Sequence, residues 1–228
     1  VVIGSGLLAK AFLNFRDNGS VIIFASGVSN SLLQQESEFE REFSLLKRTV
    51  SGKSPGQRLI YFSTFNVFDE SLGQTAYVLH KKIVEKYLAE QDQCIVVRLP
   101  IILATSLNPN TLINFLLHKI KEQEIVQVYS KAWRYLVSLD DVVSILSGLL
   151  NSGLELQKEY NISYPFPIEV AQIADIIEDQ LQIKCLRNEV KSGTHYSVEN
   201  IFFNLDSVAS EHQSAKDYFT FNFEKYYL

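Results

Sequence analysis

The sequence predicts an α/β protein: a doubly wound parallel sheet flanked by helices, with a small C-terminal lobe. Three observations predict it. Short apolar runs bounded by turn residues recur along the front half, at Val1–Ile3, Val21–Phe24, Arg58–Phe62 and Gln93–Leu99, each reading as a buried strand. Between them lie stretches whose apolar residues follow a helical period, so strands and helices alternate. The first strand also runs into Gly4-x-Gly6-x-x-Ala9, whose glycines allow a tight strand-to-helix turn and close approach of a diphosphate to the backbone.

After that turn an amphipathic helix reaches to about Phe15 and is closed by Asp17-Asn18-Gly19. Val21–Phe24 is the next buried strand, and it enters the small-residue loop Ala25-Ser26-Gly27-Val28-Ser29-Asn30. A dinucleotide-binding fold sets an acid at the end of its second strand, about 20 residues beyond the glycines, to take the adenine ribose hydroxyls. Phe24, Ala25 and Ser26 stand there instead. The stretch Glu36–Val50 is a packing helix with Phe39, Phe43 and Leu46 on one stripe and charges opposite. Residues 51–57 form a surface loop broken by Gly and Pro.

The strand Arg58–Phe62 ends in Ser63-Thr64, and Tyr77, Lys81 and Glu85 then recur at i, i+4 and i+8 along one helix face. This grouping has a chemical reason. A free Tyr ionises near pH 10, so acid/base work near neutrality needs a shift of roughly three units, about 4 kcal/mol. A neighbouring Lys cation supplies part of that, and a bound cationic nicotinamide ring more. The Thr64 hydroxyl would hold the substrate oxygen while Tyr77 exchanges its proton.

A strand ending Ser-Thr, the continuation YFSTFNVFD and the Tyr77-x-x-x-Lys81-x-x-x-Glu85 pattern are similar to the short-chain dehydrogenase/reductase superfamily. The resemblance is to its extended branch, the NAD-dependent epimerase/dehydratase family, which modifies nucleotide sugars. It implies a Rossmann-like sheet, NAD or NADP as cofactor and a nucleotide-sugar as substrate. It assigns Thr64, Tyr77 and Lys81 to catalysis. Gly4, Gly6, Leu7, Ala25, Ser26, Gly27, Ser63, Lys81 and Pro100 fall at the cofactor, and Asn66, Asn110 and Arg134 at the substrate, Arg134 on the diphosphate. Dehydratases of the family carry an Asp-Glu pair just after the Thr; Phe65-Asn66 replace it, which favours epimerisation or keto-sugar reduction. The expected division is a dinucleotide-binding domain of residues 1–100 with 134–159 and a substrate lobe of 101–133 with 160–228. Two readings of Val21–Phe24 stand: a true second strand with unusual cofactor preference, or the family's fourth strand, a strand-helix-strand-helix segment being absent before it. The second reading admits a function of another class, a catalytically inactive nucleotide-binding scaffold or regulator.

Further along, Pro100 halts a strand, and Asn110 or Thr111 caps the helix LINFLLHKI. Ser138 or Asp140 caps the next helix, with Asp141 in its first turn. Residues 160–183 read as a strand, a Pro-punctuated turn and an amphipathic helix from near Ile168. The remainder is irregular and aromatic-rich, with Phe202, Phe203, Tyr218, Phe219, Phe221, Tyr226 and Tyr227 packing the lobe or a homodimer contact. Cys94 and Cys185 read as reduced core residues, and His80, His118, His195 and His212 show no metal-ligand spacing, His80 lying on a helix surface. A net charge of −5 disfavours nucleic acid. No apolar run approaches the roughly 18 residues of a membrane helix, so no membrane is expected and the expected compartment is the cytoplasm.

Overall fold

The computed structural model describes residues 1–31, 34–106, 108–203 and 213–228; the expectation for His212 lies outside them. In chain order the elements are β1 (Val2–Ile3), α1 (Leu7–Ala11), β2 (Val21–Phe24), α2 (Glu36–Gly52), β3 (Arg58–Thr64), α3 (Ala76–Ala89), β4 (Cys94–Leu99), β5 (Ile101–Leu103), α4 (Leu112–Lys121), β6 (Val126–Tyr129), β7 (Trp133–Arg134), β8 (Leu136–Ser138), α5 (Leu139–Asn151), β9 (Glu159–Ile162), β10 (Ile168–Glu169), α6 (Val170–Leu181), β11 (Arg187–Val190), β12 (Ile201–Phe202) and α7 (Ala215–Tyr227). They form two units, Val1–Leu99 with Val143–Asn161, and Pro100–Val142 with Ile162–Leu228.

In the first unit β1, β2, β3, β4 and β9 pair in that order, all parallel. The longest register joins β3 to β4, from Leu59 opposite Cys94 to Thr64 opposite Leu99. Side chains alternate between the two faces of β3. Leu59 and Tyr61 meet Leu46 and Val50 of α2 and Val84 and Leu88 of α3 in one core cluster, each fully buried aliphatic contributing about 1.5–3 kcal/mol. Phe62 points the other way, and Phe12, at the end of α1, stacks on it with ring centres 5.7 Å apart. Helices therefore cover both faces of a parallel sheet, the α/β architecture expected.

This arrangement sets β2 apart from the strands that follow. The crossovers from β1 to β2 and from β2 to β3 step the same way across the sheet, yet α1 lies on one face and α2 on the other. Two such crossovers have opposite hands. Parallel crossovers are right-handed in about 98% of cases, and α2 and α3 share a face, so the α1 crossover is the odd one. Among the described residues β1 pairs with β2 alone.

In the second unit β5 pairs with β8 in parallel, β7 with β10 antiparallel and β6 with β11 in parallel. Its core gathers Leu103, Ile113, Leu116, Val126, Leu136, Ile173 and Ile177 with Tyr218, Phe219 and Phe223. The last three correct the expectation of an irregular tail. Residues 215–227 form a helix, capped by the Ser214 hydroxyl, which accepts from the Asp217 N–H at 3.2 Å. Ala215, Tyr218, Phe219, Asn222 and Phe223 recur at three- and four-residue steps and bury one face. The capping alternatives also resolve. Thr111 Oγ1 accepts from Asn114 N at 3.3 Å, and Ser138 Oγ from Asp141 N at 3.0 Å. Tyr218 then ties α7 to the start of α5, its hydroxyl accepting from Ser138 N at 2.6 Å and donating to the Asp141 carboxylate.

Three local expectations need correction. The buried stripe of α2 is Phe39, Glu42, Leu46 and Val50, with Phe43 only half-buried, so one charge faces inward. His80 is not a surface residue: it is 7% exposed and stacks on Phe39 with ring centres 4.8 Å apart. Cys185 is only half-buried, its Sγ 2.9 Å from Glu178 Oε1, whereas Cys94 is buried; both are free thiols. Among the described residues no helix is long and apolar enough to cross a membrane, and no cluster of metal-ligating side chains forms.

Candidate active site around Tyr77 and Lys81

Helix α3 begins after β3 has delivered the chain to the carboxyl end of the sheet, where ligands of open α/β sheets bind. Thr75 caps it, its hydroxyl accepting from Val78 N at 3.4 Å. Tyr77 and Lys81 follow on the inward face, at 7% and 2% exposure. The i, i+4 spacing read from the sequence sets the Lys81 ammonium 5.8 Å from the centre of the Tyr77 ring. Tyr77 packs with Val28, Phe39 and Val78.

Glu85, third in the pattern, has a different task. It accepts from Ser63 Oγ at 2.5 Å and from Arg98 Nε and Nη2 at 3.1 and 2.7 Å, while Arg98 Nη1 reaches Glu159 at 2.7 Å. The Glu85 carboxylate thus links α3 to β3 and β4, and Arg98 extends the link to β9. Ser63 is committed to this linkage. Thr64 Oγ1 accepts from Asn66 N at 3.2 Å, capping the turn Phe65–Phe68 that packs on α3. A hydroxyl that accepts in this way keeps its own proton to donate.

The Lys81 ammonium is bonded inside the protein. It donates to Glu42 Oε1 at 2.9 Å and to the Tyr61 hydroxyl at 2.8 Å. Tyr61 in turn donates to Glu42 Oε1 at 2.5 Å, Val28 N donates to Glu42 Oε2 at 2.6 Å, and His80 Nε2 lies 3.2 Å from that second oxygen. Glu42 is completely buried. Burial by itself would raise its pKa, but the His80 contact, the Lys81 charge, the Tyr61 hydroxyl and the Val28 amide outweigh burial and hold it at about 2. Burial, and then the Glu42 charge, push the Tyr61 phenol well above its ordinary range. Glu42, Tyr61 and His80 escaped the sequence reading. The available signal was an acid three residues after Phe39 and four before Leu46, in phase with the apolar stripe.

The loop after β2 lies against this group. A Cβ on Gly27 would stand 3.0 Å from Lys81 Nζ and 3.2 Å from Glu42 Oε1, so the backbone here lies close against the buried pair. Ser26 is held by Arg41, whose Nη1 and Nη2 reach its Oγ and carbonyl at 3.4 Å. Ala25 abuts Gly4: at φ +128° a Cβ there would lie 2.3 Å from Ala25 O. Gly6 differs, since a Cβ on it would meet nothing within 4 Å, and Leu7 follows it as the first residue of α1. No acid occupies the end of β2.

The remaining expected site residues belong to the second unit. Pro100 stands between β4 and β5, Asn110 is exposed just before α4, and the half-buried Arg134 donates from Nη1 to Trp133 O at 2.7 Å.

No protein-family model matches the chain, and no curated protein matches its sequence. Solved structures do share its fold. The UDP-glucose 4-epimerase of Thermus thermophilus, in complex with NAD, aligns with a TM-score of 0.66 at 12% identity over 95% of this chain and 80% of that one. The dTDP-4-dehydrorhamnose reductase of Bacillus anthracis, in complex with NADP, aligns with a TM-score of 0.66 at 16% identity over 97% and 85%. The enzyme WbmG of Bordetella bronchiseptica, in complex with NAD, aligns with a TM-score of 0.63 at 15% identity over 97% and 78%. The chain therefore has the Rossmann-like α/β fold of these structures.

Proposed function

We propose that the chain is a shortened NAD(P)-dependent epimerase or reductase acting on a nucleotide-activated sugar. The observation that carries the reading is the placing of Tyr77 and Lys81 on the same inward face of α3, at the carboxyl end of a parallel sheet. The chain's residues suit a dinucleotide in two places. The open space beside Gly6 leaves the backbone of the Gly4–Gly6 turn accessible to a diphosphate, and Gly27 brings the loop after β2 against Lys81. They offer no acid for the adenosine ribose.

In this reading Tyr77 gives or takes the proton of the reacting sugar hydroxyl, and Thr64 donates a hydrogen bond to the same oxygen. Lys81 lies one turn further along α3, its ammonium 5.8 Å from the centre of the Tyr77 ring. Asn66, Asn110 and Arg134 are the side chains proposed to meet the nucleotide-sugar. The bound nicotinamide supplies the hydride acceptor or donor. The Glu42–Lys81 pair favours a second reading, a nucleotide-binding scaffold without catalysis, because an ammonium bonded to an internal carboxylate is withheld from a ligand.

The test is calorimetric titration of NADH and NADPH into the wild type and Tyr77→Phe, followed by turnover with UDP- and dTDP-sugars. Equal binding by both proteins, with turnover by the wild type alone, is the expected result. Binding without turnover by either protein would leave the scaffold reading; turnover by Tyr77→Phe would remove Tyr77 from the mechanism.

A further inference from the structure

We propose that Glu42 is an internal rival of the dinucleotide for Lys81, so that the chain takes up its cofactor most tightly in the fraction of molecules in which Lys81 has left Glu42. This rests on the reading of Lys81 as a cofactor-binding residue and adds to it what governs the site. A constellation of contacts surrounds the ammonium. Glu42 comes from α2, Tyr61 from β3, and His80 and Lys81 from α3; all are buried, Glu42 at 0% and Lys81 at 2% exposure. A lysine ammonium has three donors, and two are spent on Glu42 and Tyr61. A ribose diol approaching Lys81 has to share what remains or displace the carboxylate.

Glu42 also controls the approach. Its second oxygen holds the Val28 amide, and Arg41 beside it holds Ser26, so α2 fixes the loop of residues 25–28 over the ammonium. Gly27 lies in that loop, directly against Lys81 Nζ and Glu42 Oε1. One carboxylate therefore anchors both the ammonium and the backbone covering it, and releasing one loosens the other. The carboxylate's low pKa, about 2, keeps it ionised at neutral pH, so protonation does not relieve the contact.

When the competent state is a fraction f of the molecules, the apparent dissociation constant rises by 1/f. Neutralising Glu42 raises f and replaces none of the side chains proposed to meet cofactor or substrate. The experiment is titration of NADH and NADPH into the folded full chain as wild type, Glu42→Gln and Glu42→Gln with Lys81→Ala, folding being confirmed by circular dichroism. The expected result is binding about ten- to a hundredfold tighter in Glu42→Gln than in the wild type, lost again in the double variant. Should Glu42→Gln not fold, Tyr61→Phe replaces it: it deletes one of the two bonds on the ammonium and shifts affinity the same way by a smaller factor.

Equal binding by wild type and the single variant, or weaker binding by the variant, would overturn the rivalry while leaving Lys81 as a cofactor residue. Absence of binding in every protein would overturn the rivalry together with the proposed function.

Discussion

The Glu42 carboxylate couples the stability of the first unit to pH, and Glu42→Gln exposes that coupling. The folded group titrates at about 2, against an ordinary value of 4.5. A depressed carboxylate pKa means that the unfolded chain binds its proton first. The contribution is therefore complete above pH ~4.5 and is lost as pH falls through about 2. A difference of about 2.5 units corresponds to roughly 3 kcal/mol at neutral pH, of which about half or less survives at pH 3. The groups facing the carboxylate are Lys81, His80, Tyr61 and the Val28 amide, and replacing the acid also strands the Lys81 charge. Removing one partner of a buried pair costs about 3–5 kcal/mol, so both lines of reasoning lead to a loss of at least about 3 kcal/mol at pH 7.

Urea unfolding of wild type and Glu42→Gln at pH 7, 5, 4 and 3 measures this directly. The gap between the two proteins should be widest at pH 7 and 5 and shrink between pH 4.5 and 3. A gap under about 1 kcal/mol at pH 7, or one that does not change with pH, would refute the claim that Glu42 is a buried, charged anchor.

Three further predictions follow from local geometry. Gly4→Ala combines a positive φ with a Cβ directed into Ala25 O, so it should destabilise by more than about 2 kcal/mol; Gly6→Ala meets open space and should leave the melting temperature nearly unchanged while weakening dinucleotide binding. Tyr218→Phe removes the hydroxyl that joins Ser138 N to Asp141 and leaves a buried amide unpaired, which should cost about 1–3 kcal/mol in chemical denaturation.

The four strands of the front half were legible because each is a short apolar run closed by turn residues, and such runs have few alternatives once they alternate with helical periods. The caps at Thr111 and Ser138 were legible for the same local reason: a hydroxyl just ahead of an apolar-periodic stretch satisfies an otherwise orphaned amide. The final helix was missed because Phe and Tyr dominate it, and aromatic crowding hid the three- and four-residue steps at Tyr218, Phe219, Asn222 and Phe223. Strand order was beyond the sequence as well. Nothing in Arg16–Ser20 says on which face of the sheet the preceding helix lies.

The site divides along the same line. Tyr77 and Lys81 could be paired from sequence because one helix carries both and fixes their spacing, and Glu85 extends the series to the next turn. Glu42 is 39 residues from its partner Lys81 and sits on another helix, where an acid among charged neighbours reads as solvated surface. What gives it meaning is tertiary: β3 turns Tyr61 toward α2, α3 turns Lys81 toward the same point, and the glycine at position 27 lets the backbone close over both. A motif read along one helix names the ammonium. Only the fold shows that the ammonium already has a partner, and it is that partner which makes cofactor affinity, more than the presence of the motif, the property to measure.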